Sequence, residues 1–107
     1  GSYEVAGQQE TTMMLCNIPT SMTTTRLVDD LIDRGFEDAF DTVVVPMDRL
    51  GRRSRGFAFV NFVNRTAYDV AAATFEGRYW DLKVKGKPVR VRPAERQGQQ
   101  ELLDMPM

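Results

Sequence analysis

Histidine is absent from the 107-residue sequence, and cysteine occurs once, at Cys16. The chain therefore lacks the commonest general base and the commonest protein metal ligand, and it has no partner for an internal disulfide. Ser–His and Cys–His nucleophiles are excluded, and we find no pair of carboxylates in a recognisable catalytic motif. The sequence thus predicts a protein that is not an enzyme and that carries no metal or other cofactor.

Long apolar runs are also missing. No stretch approaches the roughly 18–20 apolar residues that span a bilayer, and no basic-then-apolar leader opens the chain, so we expect a soluble protein without a membrane partner.

An apolar fraction of 42% suits one globular domain, which we expect to be a monomer when isolated. We expect residues 1–10 to be a tag remnant and loose lead-in, residues 11–96 to form the domain, and residues 97–107 to be a C-terminal tail.

An excess of basic charge, typical of nucleic-acid binders, is lacking, since 14 basic and 15 acidic residues give a net charge of −1. The two signs are nevertheless segregated along the chain. Acidic residues crowd positions 29–41, and basic residues crowd two later segments: Arg49, Arg52, Arg53 and Arg55, then Lys83, Lys85, Lys87, Arg90, Arg92 and Arg96. Because local potential decides where a phosphate backbone binds, the position of these clusters in the fold matters more than the total charge.

Hydrophobic periodicity and turn residues predict six elements. Apolar and β-branched runs predict strands at residues 11–18, 42–45, 56–62 and 87–92. One helix is expected to start at the threonines 23–25 and to end before Gly35, and a second to cover residues 66–75 with Gly77 as its stop. The order β-α-β-β-α-β predicts an α+β, ferredoxin-like fold, in which a four-stranded antiparallel sheet has both helices on one face and the other face open.

Residues 55–62 have the sequence R-G-F-A-F-V-N-F and form the clearest motif of the chain. Alternation along a strand places the candidate RNA contacts Phe57, Phe59 and Asn61 on one face and three apolar side chains on the other. Two neighbouring phenylalanines on an open face can stack on unpaired bases, and Arg55 can neutralise a phosphate beside them. The motif resembles the longer signature of the RNA recognition motif, which implies binding of single-stranded RNA.

The first strand carries three further candidate RNA contacts. In the RNA recognition motif this strand usually holds an aromatic side chain beside the phenylalanine pair, and Met14 occupies that position here. Met14 either lies against a base through its polarisable thioether or only covers the sheet. Asn17 either offers its amide to a base edge or caps the following loop. Cys16 is expected to face outward, where it can touch a base.

Arginines flank the motif on both sides. Arg49, Arg52 and Arg53 lie in the predicted loop between the central strands, where they either grip RNA or only keep the turn solvated. The last strand and the tail carry three more arginines, which either bind RNA or only discourage association of an edge strand: Arg90, Arg92 and Arg96.

A closer resemblance covers about residues 11–103. The segments 17–19 (Asn-Ile-Pro), 46–48 (Pro-Met-Asp) and 94–98 (Ala-Glu-Arg-Gln-Gly), with Trp80 after the second helix, make the chain similar to the C-terminal RNA recognition motif of Mei-two-like meiosis and development regulators. This resemblance implies RNA binding in post-transcriptional, meiotic or developmental control. It also implies an intracellular location, in the nucleus ahead of the cytoplasm.

A second hypothesis places a protein ligand on the helical face. Some domains that resemble the RNA recognition motif bind a basic, tryptophan-bearing peptide there, through an acidic first helix and an arginine-x-aromatic motif. This chain has the acids and the Arg78-Tyr79-Trp80 sequence, with the candidate contacts Asp29, Asp30, Asp33, Arg78 and Trp80. Such peptide binders typically lack the sheet phenylalanines, so the presence of Phe57 and Phe59 favours RNA.

Overall fold

The computed structural model describes residues 9–81 and 86–105, so Lys83 and Lys85 of the second basic segment lie outside the described residues, as do residues 1–8 and 106–107. Within the described ranges, no helix is long and apolar enough to cross a membrane. The same ranges contain no cluster of three acidic or cysteine side chains placed to hold a metal ion. The elements are β1 Thr12–Cys16, α1 Thr24–Asp33, β2 Phe40–Val44, β3 Phe57–Phe62, α2 Arg65–Phe75, β4 Arg90–Pro93 and α3 Gln99–Leu103.

The four strands form one sheet in the order β2-β3-β1-β4, and every neighbouring pair is antiparallel. The first six elements follow the predicted β-α-β-β-α-β order, which confirms the ferredoxin-like α+β fold. The strand that carries the motif, β3, is central, because it pairs with both β1 and β2. A central position gives its side chains neighbours on either side.

Side-chain caps set the ends of the two long helices. Thr23 accepts a hydrogen bond from the Arg26 N–H at 3.0 Å, and Asn64 accepts one from the Ala67 N–H at 2.8 Å. These bonds satisfy N–H groups that have no partner inside the helix. After α1 the backbone turns at Gly35 with φ +94°, a conformation that costs glycine no strain and stops the helix.

The hydrophobic core lies between the sheet and the two long helices. Alternation in β3 directs Ala58, Val60 and Phe62 into it, as predicted. In α2, however, the buried side chains are Tyr68, Ala71 and Phe75. Val70, by contrast, is 53% exposed. It lies about 100° around the helix axis from Ala71, which is enough to turn it toward solvent.

All four strands begin at residues other than those predicted, β1 and β3 by one residue and the other two by more. A bulge between Phe40 and Thr42 lets Phe40 pair with Phe62, so β2 starts two residues early. β4 starts three residues late, because Val89 donates its N–H to the Arg78 carbonyl at 2.7 Å in the turn after α2. The Val89 side chain is nevertheless buried in the core.

Candidate nucleic-acid interface

Outward side chains on the open face form rows that run across the strands. Rows are about 6.7 Å apart, because side chains on one face recur every second residue and each residue rises about 3.3 Å. The strand register defines two open rows: Phe57, Cys16 and Arg90 in the first row, and Val44, Phe59, Met14 and Arg92 in the second. These two rows bring together predicted contacts from three separate parts of the sequence.

The phenylalanine pair lies at the centre of these rows. The rings of Phe57 and Phe59 are both half-buried, with centroids 5.7 Å apart and planes at 84° to each other. This edge-to-face geometry is favourable for two aromatic rings. Because the planes are nearly perpendicular, one ring can present its face to a ligand while the other presents its edge. One ring can therefore stack on a base while the other contacts the next base along the RNA.

The first strand places its candidates beside this pair. Met14 is opposite Phe59 and Cys16 is opposite Phe57, and both side chains are half-buried on the open face, as predicted. Asn17 lies just beyond the strand with φ +66°, a backbone conformation that asparagine tolerates better than most residues. Its amide donates a hydrogen bond to the Pro88 carbonyl at 3.0 Å, so in this structure it caps the loop.

The loop between β2 and β3 extends its arginines into solvent. An isolated bridge between Met47 and Ser54 closes the loop, and the Asp48 carboxylate accepts the Arg52 N–H at 2.9 Å. That hydrogen bond lowers the pKa of Asp48, because it stabilises the charged carboxylate. The loop backbone is thereby held in a defined turn while its three arginine side chains are exposed: Arg49, Arg52 and Arg53.

The remaining predicted arginines are also exposed. Arg55 leads into β3 and donates from Nε to the Met47 carbonyl at 3.1 Å, which fixes its stem and leaves other guanidinium donors. Arg90 and Arg92 stand on the edge strand opposite Cys16 and Met14, and Arg96 follows that strand. The phenylalanine pair therefore has basic side chains on the edge strand β4 and in the loop that leads into β3.

The C-terminal segment crosses the open face at one end of the sheet. The Gln97 side chain accepts the N–H groups of Thr11 and Thr12 at 2.9 and 2.8 Å, and it donates to the Thr12 carbonyl at 2.9 Å. The Gly98 N–H then donates to the Thr12 hydroxyl at 2.7 Å. These bonds lead into α3, which contacts β2 and β3 and buries Leu102 to 1% exposure. No signal in the polar tail sequence predicted this helix.

This segment closes a third row of the sheet. Asn61 was predicted to contact RNA, and it does lie on the same face as the phenylalanines, but it is only 5% exposed. Its amide oxygen accepts from the hydroxyls of Thr11 and Thr12, and its nitrogen donates to Asp41. Asn61 thus belongs to a buried polar network in this structure, and the accessible part of the face is reduced to the two open rows.

Replacing Leu102 by alanine is expected to release α3 from the sheet. The burial of a leucine side chain in such a contact is worth roughly 2–3 kcal/mol, and α3 is too short to persist without it. We expect faster amide hydrogen exchange at Thr12 and Asn61 in the folded protein. Leu103→Ala is the matched control, because Leu103 is adjacent and 62% exposed. Equal exchange rates in the two variants would contradict the role of Leu102 as the anchor.

On the helical face, the candidate residues contact each other within the chain. The Trp80 indole N–H donates to Asp30 at 2.8 Å, and Arg26 forms an ion pair with the same carboxylate at 3.3 Å. Trp80 is 6% exposed and stacks on Phe75, with ring centroids 4.9 Å apart. Asp29, Asp33 and Arg78 are exposed. Binding of a basic, tryptophan-bearing ligand at this face stays a prediction. Two of its candidate contacts, Asp30 and Trp80, already form contacts within the protein.

Solved structures that share this fold include RNA recognition motif domains. The Rna15 RNA recognition motif with bound RNA (GU) aligns with a TM-score of 0.67 at 16% identity, over 89% of this chain and 94% of that chain. The second such domain of the yeast poly(U)-binding protein Pub1 aligns with a TM-score of 0.59 at 21% identity, over 82% of this chain and 98% of that chain. At these identities the likeness establishes the fold.

The chain belongs to the RNA recognition motif 2 family, whose sequence model matches residues 10–106. Protein MEI2-like 5 of Oryza sativa subsp. japonica is 30% identical over 101 residues, and protein MEI2-like 2 of Arabidopsis thaliana is 32% identical over 92 residues. The alignments cover 94% and 86% of this chain, and the resemblance to Mei-two-like proteins is thereby confirmed. The chain spans only 12% and 11% of the length of these relatives.

Proposed function

We propose that the chain binds single-stranded RNA through the two open rows of its sheet. The observation that carries this proposal is the half-exposed pair Phe57 and Phe59 on a central strand, with exposed arginines on the edge strand β4 and in the loop that leads into β3. Membership of the family supports the proposal, and so does the Rna15 domain of the same fold, whose structure holds bound RNA. RNA recognition motifs are binding domains, so the chemistry required is recognition alone.

The geometry favours unpaired RNA. A base can stack on a side chain only when its face is exposed, and in a duplex both faces are covered by neighbouring base pairs. Phe59 and Met14 are cross-strand neighbours, so two successive bases can lie on adjacent strands. Met14 offers dispersion contact without a ring, which makes it a weaker support than the aromatic side chain usual at this position. The arginines compensate by attracting the phosphates.

A direct test compares single-stranded and duplex RNA. Fluorescence anisotropy with a labelled ten-nucleotide RNA of randomised sequence is expected to show binding, and the same strand pool annealed to its complement is expected to bind more weakly. Equal affinity for both forms would overturn the stacking mechanism. Selection from the randomised pool would then identify the preferred sequence, which depends on contacts to base edges.

The loop between β2 and β3, which carries Arg49, Arg52 and Arg53, is expected to control the salt dependence of RNA binding. Each phosphate neutralised on single-stranded nucleic acid contributes a slope of about −0.7 to a plot of log affinity against log salt concentration. Replacing Arg49 or Arg53 by glutamine should therefore make the slope shallower by about 0.7 for each phosphate that the variant no longer neutralises. The comparison variant Arg65→Gln removes a positive charge from α2, where Arg65 pairs with Asp69, and should leave the slope unchanged.

We further propose that this binding serves post-transcriptional control in meiosis or development, with the protein acting inside the cell and mainly in the nucleus. The similarity to the MEI2-like proteins supports this role. Because the chain corresponds to a small part of those proteins, the domain would supply RNA contact to a larger regulator. Fluorescence microscopy of the tagged parent protein tests the location, and an exclusively cytoplasmic signal would contradict it.

A further inference from the structure

A cleft of about 410 Å³ opens on the helix-covered side of the molecule, away from the phenylalanine pair. It lies where the end of α1 meets the end of α2 and the turn that leads to β4. Its floor is formed by Phe75, Trp80 and Val89, and its rim by Arg34, Arg78 and Tyr79. The binding of RNA proposed above uses none of these residues.

The floor of the cleft is apolar and firmly packed. Trp80 lies nearly parallel to Phe75, with an angle of 29° between the rings. Val89 is held by two backbone hydrogen bonds to the turn after α2, because its N–H donates to Arg78 and its carbonyl accepts from Gly77. A floor of this kind is preformed, and because its side chains are already buried, the exposed ring of Tyr79 at the rim adds the apolar surface that a ligand would cover.

The rim of the cleft carries positive charge. The Arg34 guanidinium carbon lies 4.1 Å from the centroid of the Trp80 ring, and one of its terminal nitrogens donates to the Trp80 carbonyl at 3.2 Å. A guanidinium has five N–H donors, so this contact orients Arg34 and leaves donors for a ligand. Arg78 is exposed, and its backbone is fixed by the hydrogen bond from Val89. Tyr79, 49% exposed, adds an aromatic edge.

The acid beside the cleft does not cancel this charge. Asp30 accepts the Trp80 indole N–H and pairs with Arg26, so its carboxylate is directed into a contact within the chain. A basic ligand would therefore meet two arginines at the rim and an acid that is already engaged. The charge of the cleft favours the opposite ligand, one with carboxylates.

We propose that this cleft binds an acidic peptide segment of another protein, with carboxylates on Arg34 and Arg78 and an apolar side chain on the floor. RNA is disfavoured as the occupant, because the rim offers only two guanidinium groups, and a continuous phosphate backbone would carry further negative charge past them toward the exposed acids Asp29, Asp33 and Glu37 on and after α1. A short peptide can instead place its few carboxylates at the rim. The domain would then hold RNA on one side and a protein on the other.

The single tryptophan of the chain provides the test, since it gives one indole N–H resonance and lies in the cleft floor. The 107-residue protein is titrated with the acetylated peptide amide Glu-Leu-Glu-Glu-Leu-Glu while two-dimensional ¹⁵N spectra are recorded. We expect the indole signal and the amides of residues 78–80 to shift. The same peptide with glutamine in place of glutamate should bind at least about fivefold more weakly, as should Arg78→Gln with the acidic peptide.

A pair of variants separates this site from the RNA site. Arg78→Gln is expected to weaken the peptide and leave RNA affinity unchanged, whereas Arg49→Gln should weaken RNA and leave the peptide unchanged. The proposal is overturned if the acidic peptide shifts no cleft resonance at millimolar concentration, or if the glutamine peptide binds equally well. It is also overturned if Arg78→Gln lowers RNA affinity as much as Arg49→Gln, because the cleft would then belong to the path of the RNA.

Discussion

Replacing Phe57 and Phe59 together by alanine is expected to lower the affinity for single-stranded RNA about 30-fold or more. Each stack between a base and an aromatic side chain is worth about 1–3 kcal/mol, so removing two stacks takes away at least about 2 kcal/mol of binding free energy. The fold should survive, because both rings lie on the open face and leave no cavity in the core. The absence of their mutual contact costs only about 0.5–1.5 kcal/mol of stability.

Anisotropy titration of the folded double variant measures this effect, with circular dichroism as the check on folding. Tyr79→Ala is the control, because it removes an aromatic side chain of similar size that is 49% exposed on the other side of the molecule. RNA affinity should be unchanged in that variant. Retained affinity in the double variant would show that RNA does not stack on the phenylalanine pair.

Replacing Trp80 by alanine is expected to destabilise the domain by about 3–5 kcal/mol, the range for removing a large aromatic side chain from a packed site. The variant loses the stack on Phe75 and the interaction with Arg34, and it leaves Asp30 without the indole donor. Since small domains are stable by only about 5–15 kcal/mol, this single change removes a large share of the folding free energy.

Urea denaturation followed by circular dichroism gives the size of this destabilisation. Trp80→Phe is expected to have a smaller effect, because it keeps an aromatic ring on Phe75 and loses the N–H donor and part of the ring volume, at a cost of at least about 1–2 kcal/mol. Tyr79→Phe should change stability by less than about 0.5 kcal/mol, as surface substitutions usually do. A cost below about 1 kcal/mol for Trp80→Ala would contradict this prediction, because it would mean that the tryptophan contributes little to packing.

Much of the open face could be predicted from local pattern. The alternation in residues 57–62 determines which side chains of β3 point outward, because a strand has a period of two and the inward positions are apolar. The position of Met14 beside the phenylalanine pair was predicted from the resemblance to the RNA recognition motif, and the register of β1 and β3 agrees with it. The first prediction rests on strand periodicity, which holds wherever one face of the sheet is buried.

The packing of the C-terminal segment over Asn61 could not be predicted, because it depends on contacts between distant parts of the chain. α3 has five residues, too few for a helix to form by itself, and only Leu102 anchors its buried side. Gln97 is one polar residue among several in the tail, and nothing local indicates that it bonds to Thr12, 85 residues away. Asn61 is buried because the C-terminal segment packs over it, so its burial could not be predicted without knowing where that segment lies.

The helical face shows a different limit of sequence reasoning. The sequence places three acids in the predicted first helix, but it does not show which of them face solvent and which form contacts within the chain. Asp30 is drawn into a contact with Trp80, and Arg34 lies over the same ring. The charge that the cleft presents is therefore opposite to the charge of the helix that borders it.

The register of β3 has a consequence for how the gene can vary. Phe57, Phe59 and the buried Ala58, Val60 and Phe62 alternate on one strand, so a substitution at an outward position alters binding while the core keeps its contacts. Insertion or deletion of one codon within the strand would instead exchange the two faces beyond that point, placing core side chains in solvent and outward ones in the core. The length of this segment is therefore constrained by folding, whereas the identity of its outward residues is left to vary with the ligand.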